Sequence, residues 1–183
     1  MAEVVSAATI AELVVRRLAG RGGAVWIGVD GFGAAGKSTI ARAIAEAWPE
    51  AAIVRTDDFP ARAGAGGWDQ DRFVGEVVEP LRAGRAARYA TWDLLAGTPG
   101  GVVEVPVGVP VIVEGVSSTD AALPVPWDLT IWVEASEELR WQRILARDPA
   151  ELIARWRAEW LPSERAYGQA QQPWARVDVV VRA

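Results

Sequence analysis

The chain has 183 residues, a net charge of −5, 51% hydrophobic residues, and neither Cys nor His. A folded chain of this size buries about 70% of the surface its unfolded form exposes, so a single domain over residues 1–183 with one substantial core is expected. The missing residue types exclude disulfides, thiolate metal sites, Cys nucleophiles, His-ligated zinc and a Ser-His-Asp triad, and the acidic charge leaves no global footprint for duplex nucleic acid. Proton transfer would therefore fall to Asp, Glu, Tyr or the one Lys, Lys37; the other 18 basic residues are Arg.

In chain order, Ile10, Leu13, Val14 and Leu18 have helical spacing, and Gly20 ends the run. The segment Met1 to Leu18 is interrupted by Glu3 and Glu12 and lacks a basic start, so it does not read as a signal peptide. No run reaches the roughly 18 apolar residues of a membrane span, and a chain without Cys does not argue for secretion, so a soluble cytoplasmic protein with no membrane partner is expected. Gly22-Gly23 reads as a turn, Ala24 to Val29 as a buried strand, and Ile40 to Trp48 as a helix stopped by Pro49. Ala51 to Val54 is a second strand, and residues 60–67 form a Gly-rich loop. Phe73, Val74, Val77, Val78 and Leu81 form a helix stripe that Pro80 should kink or end. Val102 to Val105, Val111 to Val113, Leu129 to Val133 and Val177 to Val181 are further strands. Ser136 is a helix N-cap followed by Glu137 and Glu138, which suit the positive end of a helix running to Arg147. Pro149 opens another helix with the stripe Leu152, Ile153, Trp156 and Trp160. Strands alternating with helices imply an α/β fold with a mostly parallel sheet.

Residues 31–39 read GFGAAGKST, with Gly31, Gly36, Lys37 and Ser38 at the spacing G-x-x-x-x-G-K-[ST]. Glycines at Gly31, Gly33 and Gly36 let the backbone turn its N–H groups inward toward phosphate oxygens, and the following helix adds its positive N-terminal end. Gly31, Gly33, Ala34, Ala35, Gly36, Lys37, Ser38 and Thr39 are thus the nucleotide-binding candidates, with Lys37 reaching the β- and γ-phosphates and Ser38 ligating Mg²⁺. A guanine-specific N-K-x-D loop is excluded, because no second Lys exists. A small-molecule kinase suits this length.

The motif order from Val25 to Val181 resembles the uridine kinase, phosphoribulokinase and pantothenate kinase group of P-loop kinases. The likeness is carried by the phosphate loop, by Thr56-Asp57-Asp58-Phe59, and by Trp68-Asp69 through Phe73. Gly84-Arg85, Arg88-Tyr89 and Thr91-Trp92-Asp93 continue it, as do Val111 through Gly115 and Arg140 through Asp148. It implies a P-loop NTPase fold, a five-stranded parallel sheet flanked by helices, with ATP and Mg²⁺ as cofactors and a nucleoside or sugar as acceptor. It implies an acceptor region over about 60–107, after the 20–48 strand, loop and helix, and a lid over about 136–160. By the same likeness Asp57 is the general base; Asp69, Tyr89, Trp92 and Asp93 line the acceptor site; Glu114 or Asp57 joins Ser38 at Mg²⁺; and Arg143 and Arg147 close on the transferring phosphoryl group. Arg140 reads instead as part of a solvated face. The His and Arg that pyrimidine nucleoside kinases carry after the Tyr-Asp-aromatic triplet are absent from Leu94 through Gly100. Two other readings remain: a nucleotide-binding regulatory or assembly protein with weak hydrolysis, and a kinase whose acceptor already carries phosphate, met by Arg62, Arg72, Arg85 or Arg88.

Overall fold

Short runs of Val, Ile and Trp that are apolar at every position suit strands covered on both faces. In the computed structural model these runs lie side by side. The structure describes residues 2–18, 20–21, 24–61 and 67–182; the Gly22-Gly23 turn, most of the 60–67 loop and Arg62 lie outside them. Strands β2 (Trp26–Asp30) and β6 (Val111–Glu114) are buried at every residue, as central strands must be. Around them lie β3 (Ala52–Arg55), β7 (Leu129–Glu134) and β8 (Val179–Arg182). A sixth strand, β1 (Glu3–Ser6), pairs in parallel with β8 and corrects the expected five. It is short and mostly exposed, and only its register against Val179 to Arg182 makes it a strand.

The strand order is β1-β8-β7-β2-β6-β3, with every pairing parallel. The chain leaves β2 for β3 on one side, returns to β6, and then continues to β7 on the other side of β2. The order thus reverses at β2, and in open α/β sheets the crevice at the carboxyl ends of such strands is where ligands bind.

One face of the sheet is covered by α1 (Ile10–Leu18) and α2 (Lys37–Ala47), which pack Ile10, Leu13, Val14, Ile40 and Ile44 against Ile27, Val29, Ile131 and Val179. On the second core, α3 (Gln70–Phe73) runs through a π-turn at Val74–Val78 into α4 (Glu79–Arg82). Pro80 therefore neither ends nor breaks the helix. Glu79 donates its N–H to Val74 O, five residues back, so the wide turn falls where the proline ring would crowd the carbonyl of Glu76. The same device recurs after α5 (Glu137–Arg147). There α6 (Ala150–Arg155) passes through a π-turn at Trp156–Trp160, directly before Pro162, into α7 (Leu161–Gln171). The Ser136 cap is present, its hydroxyl accepting the N–H of Leu139 at 3.2 Å.

The strand expected at Val102 to Val105 is longer, Thr98–Val105 (β5), and forms an antiparallel hairpin with β4 (Ala87–Asp93) outside the main sheet. Its inner residues Ala87, Tyr89 and Val105 pack with Phe59 and Phe73. Among the described residues no helix is long and apolar enough to cross a membrane.

Candidate phosphate-binding site

The segment Gly31 to Gly36 leaves β2 at the reversal point and enters α2, so its geometry starts from the strand end. Gly36 has φ 111°, a left-handed conformation that L side chains rarely adopt, and this bend lets the loop feed the helix. Ala34 also lies left-handed, at φ 59°. That costs about 1 kcal/mol for a residue with a Cβ and is held by Arg143, whose Nη1 donates to Ala34 O and Ala35 O at 3.1 Å each.

Lys37 is 8% exposed, and its Nζ donates to Phe32 O at 3.0 Å, folding the ammonium back over the loop. Ala35 N–H turns inside the loop to Phe32 O, while among the described residues the N–H groups of Ala34, Gly36, Lys37 and Ser38 meet no protein acceptor. Four such groups at a helix start, with an ammonium beside them, make an anion cradle.

Two strand ends carry acids to this cradle. Glu114, at the end of β6, accepts from Ser38 Oγ at 3.0 Å. Burial pushes its carboxyl above the ordinary range, with Lys37 opposing the shift. Asp57 lies one residue past Thr56, in the 3-10 turn that follows β3; its side chain is 62% exposed and lies 3.7 Å from Arg55. Arg55 also approaches Glu114, at 3.7 Å, so a cation stands between the two acids. Arg55 went unnoticed in the sequence because it reads as an ordinary strand end.

Among the described residues no group of three acids is set to hold a metal. Mg²⁺ at a nucleotide site needs only one or two protein oxygens beside phosphates and water. The neighbouring Ser38 hydroxyl and Glu114 carboxylate meet that need.

A stability test reports on Glu114 by itself. The raised folded value means that the folded state holds the proton more tightly than the unfolded chain does, so ionising Glu114 at neutral pH costs stability. Glu114→Gln is expected to raise Tm by roughly a few degrees at pH 7 to 8. The gain should shrink as pH falls from the raised value through 4.5, below which the side chain is neutral in both states. Thermal melts across that range check the sign, and a lower Tm at pH 8 would show that the charge stabilises the fold.

The remaining expected residues divide into three placements. Arg143 reaches the loop, as described above. Arg147 lies at the exposed end of α5, paired with Asp148 through two hydrogen bonds of 2.6 and 2.9 Å, which favour its charged form. Asp148 in turn accepts from Trp156 Nε1 at 2.7 Å. In the region expected on the acceptor side the side chains already hold structure. Asp69 caps α3 by accepting Arg72 N–H at 2.9 Å, and Asp93 accepts the N–H groups of Leu95 and Ala96 in the hairpin turn. Tyr89 is buried against Phe59, which pushes its hydroxyl pKa up. Trp92 donates its backbone N–H to Asp58 at 3.1 Å, fastening the hairpin beside Asp57.

Arg140 is the clear correction. It was expected on a solvated face, yet it is 6% exposed, paired with buried Glu164 at 3.0 Å and bonded to Gly33 O at 3.2 Å. Helical spacing placed it on the face of Arg143 and Arg147, but nothing local revealed the acid that buries it. Asp30, next to the loop, was also missed. It is fully buried and accepts from Gly31, Ser117 and Thr119 N–H groups, Thr119 Oγ1 and Tyr167 OH. Its position directly before Gly31 was the one available signal.

No family model and no curated protein sequence matches the chain. Solved structures do match. A possible uridine kinase from Bacillus stearothermophilus aligns with a TM-score of 0.70 at 16% identity, over 95% of this chain and 98% of that one. A candidate fructose transport system kinase from Silicibacter sp. TM1040 aligns with a TM-score of 0.74 at 20% identity, over 96% and 98%. This chain shares the fold of these two proteins, a mostly parallel sheet flanked by helices. Within that fold, the loop from Gly31 to Ser38 occupies the turn between the first strand of the reversal and its helix.

Proposed function

We propose that the protein transfers a phosphoryl group from ATP to a hydroxyl of a small molecule, a nucleoside or sugar. The observation that carries this reading is the juxtaposition at the strand ends. The cradle of free N–H groups with Lys37 lies beside the Ser38–Glu114 pair, and the exposed carboxylate of Asp57 stands at the next strand end but one.

In this reading the N–H groups of Ala34, Gly36, Lys37 and Ser38 orient the phosphates, and Lys37 neutralises charge that develops on the transferred group. Ser38 and Glu114 would hold Mg²⁺, which supplies further charge neutralisation at the phosphates. Asp57 accepts the proton of the attacking hydroxyl, which its exposure permits, whereas Asp58 is occupied by Trp92 N–H. Arg147, anchored by Asp148, approaches from the helix end with donors to spare, and Arg143 keeps the loop in shape. Residues of about 60–107 would form the acceptor side, with Trp92, bonded to Asp58, near Asp57 and with Asp69, Tyr89 and Asp93 shaping the wall.

Of the arginines that could meet a phosphorylated acceptor, Arg72 is taken up by the protein itself. Arg72 spends its donors on Glu76, Asp58 O and Ala90 O, and Arg88 pairs with Glu104 on the hairpin. Arg72 is thereby committed, whereas exposed Arg88, held by a single 3.6 Å pair, keeps donors for an anion. The test is ADP release from Mg-ATP with and without pools of nucleosides, sugars and vitamin precursors. Release that rises with one pool, and then with one member of it, is expected. Background release from every pool, with ATP still quenching Trp fluorescence, would favour a nucleotide-binding regulatory protein instead.

A further inference from the structure

We infer that the buried pair Arg140–Glu164 is a positioning clamp on the phosphate loop, gripping Gly33 by both its N–H and its C=O so that the loop presents its other N–H groups to phosphate. This rests on the nucleotide-site reading above and names two residues that set the site's shape.

The geometry is reciprocal. Glu164 Oε1 accepts Gly33 N–H at 2.6 Å, and Glu164 Oε2 accepts from Arg140 Nη1 at 3.0 Å. The same Arg140 nitrogen donates to Gly33 O at 3.2 Å. One helix supplies the cation and another the anion, and a single loop residue closes the ring. Arg140 also lies over the Phe32 ring, 5.0 Å from its centre, and Arg143, one turn on, takes the next two carbonyls. The carbonyls of residues 33, 34 and 35 are therefore all drawn toward α5. Fixing the carbonyls on one side aims the following N–H groups to the other, because the peptide unit is planar.

Helix α7 forms the backing. Glu164, Tyr167 and Gly168 share one face at i, i+3 and i+4. Tyr167 OH donates to Asp30 at 2.6 Å, and Gly168 closes on Phe32, where an added Cβ would lie 2.9 Å from the ring. Three residues of one helix thus meet residues 30, 32 and 33. Trp156 seals Gly33 from the side, with its ring where a Cβ would stand 2.1 Å away.

Stability alone is a poor reason for this pair. A buried ion pair is commonly matched or bettered by apolar side chains of similar volume. Here the pair is kept although Arg140 Nε finds no partner among the described residues. An apolar pair could fill the space but could not hold both polar groups of Gly33.

The double variant Arg140→Met with Glu164→Leu separates the two roles. Each single substitution is expected to lower Tm, and the double to recover much of that loss. Affinity for ADP and for inorganic pyrophosphate, by calorimetry, is expected to stay about tenfold or more below wild type in the double. Wild-type affinity in the double variant would overturn the clamp. Arg140→Lys is expected to retain affinity, because one ammonium can serve both Gly33 O and Glu164.

Amide exchange in the wild-type protein does not depend on any variant folding. Gly33 N–H is expected to exchange slowly in the free protein and to be unaffected by ADP, whereas Ala34, Gly36, Lys37 and Ser38 slow when ADP binds. A Gly33 amide that exchanges freely until ADP is added would overturn the inference. If the wild type binds neither ADP nor pyrophosphate, the nucleotide-site reading fails, and Gly33 protection still reports separately on the clamp.

Discussion

Lys37→Ala is expected to cut ADP formation by about 100-fold or more, the scale of losing one preorganised charge at a phosphoryl-transfer site. Lys37 is the one Lys of the chain, it is nearly buried, and it is held over the loop by Phe32 O. Its ammonium opposes the raised values of both Glu114 and Glu164. Removing it leaves two acids facing an incoming polyphosphate without that compensation, so ATP affinity should fall as well as turnover. Steady-state rates together with ATP-induced Trp quenching check both parts. Unchanged turnover would remove this loop from the reaction.

Asp57→Asn is expected to behave differently. The substitution keeps shape and exposure but removes the proton acceptor, so kcat should fall by about 100-fold or more while ATP binding changes little. The basis is position. Asp57 lies just past the end of β3, exposed, with Arg55 beside it, and it makes none of the contacts that hold the loop. A variant that turns over like wild type would place the base elsewhere. A variant that loses ATP affinity and turnover together would make Asp57 a nucleotide ligand rather than a base.

The two residues differ in how openly the sequence announces them. Lys37 belongs to a motif whose parts are adjacent in the chain, so their chemistry follows from spacing. Asp57 is marked by standing after an apolar run, and strand ends gather at the crevice only once the strand order is known. Glu114 followed the same logic, and its meeting with Ser38 spans 76 residues. Asp69 was legible as a site residue but equally as a helix cap, and capping is the contact it makes, while Asp93 closes the hairpin turn. Local hydrogen bonds of that kind compete for the same side chains that a ligand would use.

The clamp was hidden for a further reason. Helix α7 buries Glu164 and Gly168 rather than an apolar stripe, so the period that betrays an amphipathic helix is missing. Arg140 lies on a helix face that looks solvated until Glu164, 24 residues later, covers it. The two π-turns are a related case. Pro80 reads as a kink or stop, yet tertiary packing keeps its helix running and the backbone widens to admit the ring, as it does before Pro162.

The sequence by itself determined what depends on neighbours in the chain: the glycine-rich loop with its lone Lys between strand and helix, the buried strands, the cap at Ser136 and the α/β class. Spacing and periodicity are enough for these, because the groups involved lie within one turn or one strand of each other. Only the tertiary structure decided the sixth strand, the hairpin pairing, the burial of Arg140 and the grip of Glu164 on Gly33. Each of these joins segments far apart in the chain, where the partner that satisfies a buried charge or an open strand edge is chosen by packing and leaves no local pattern.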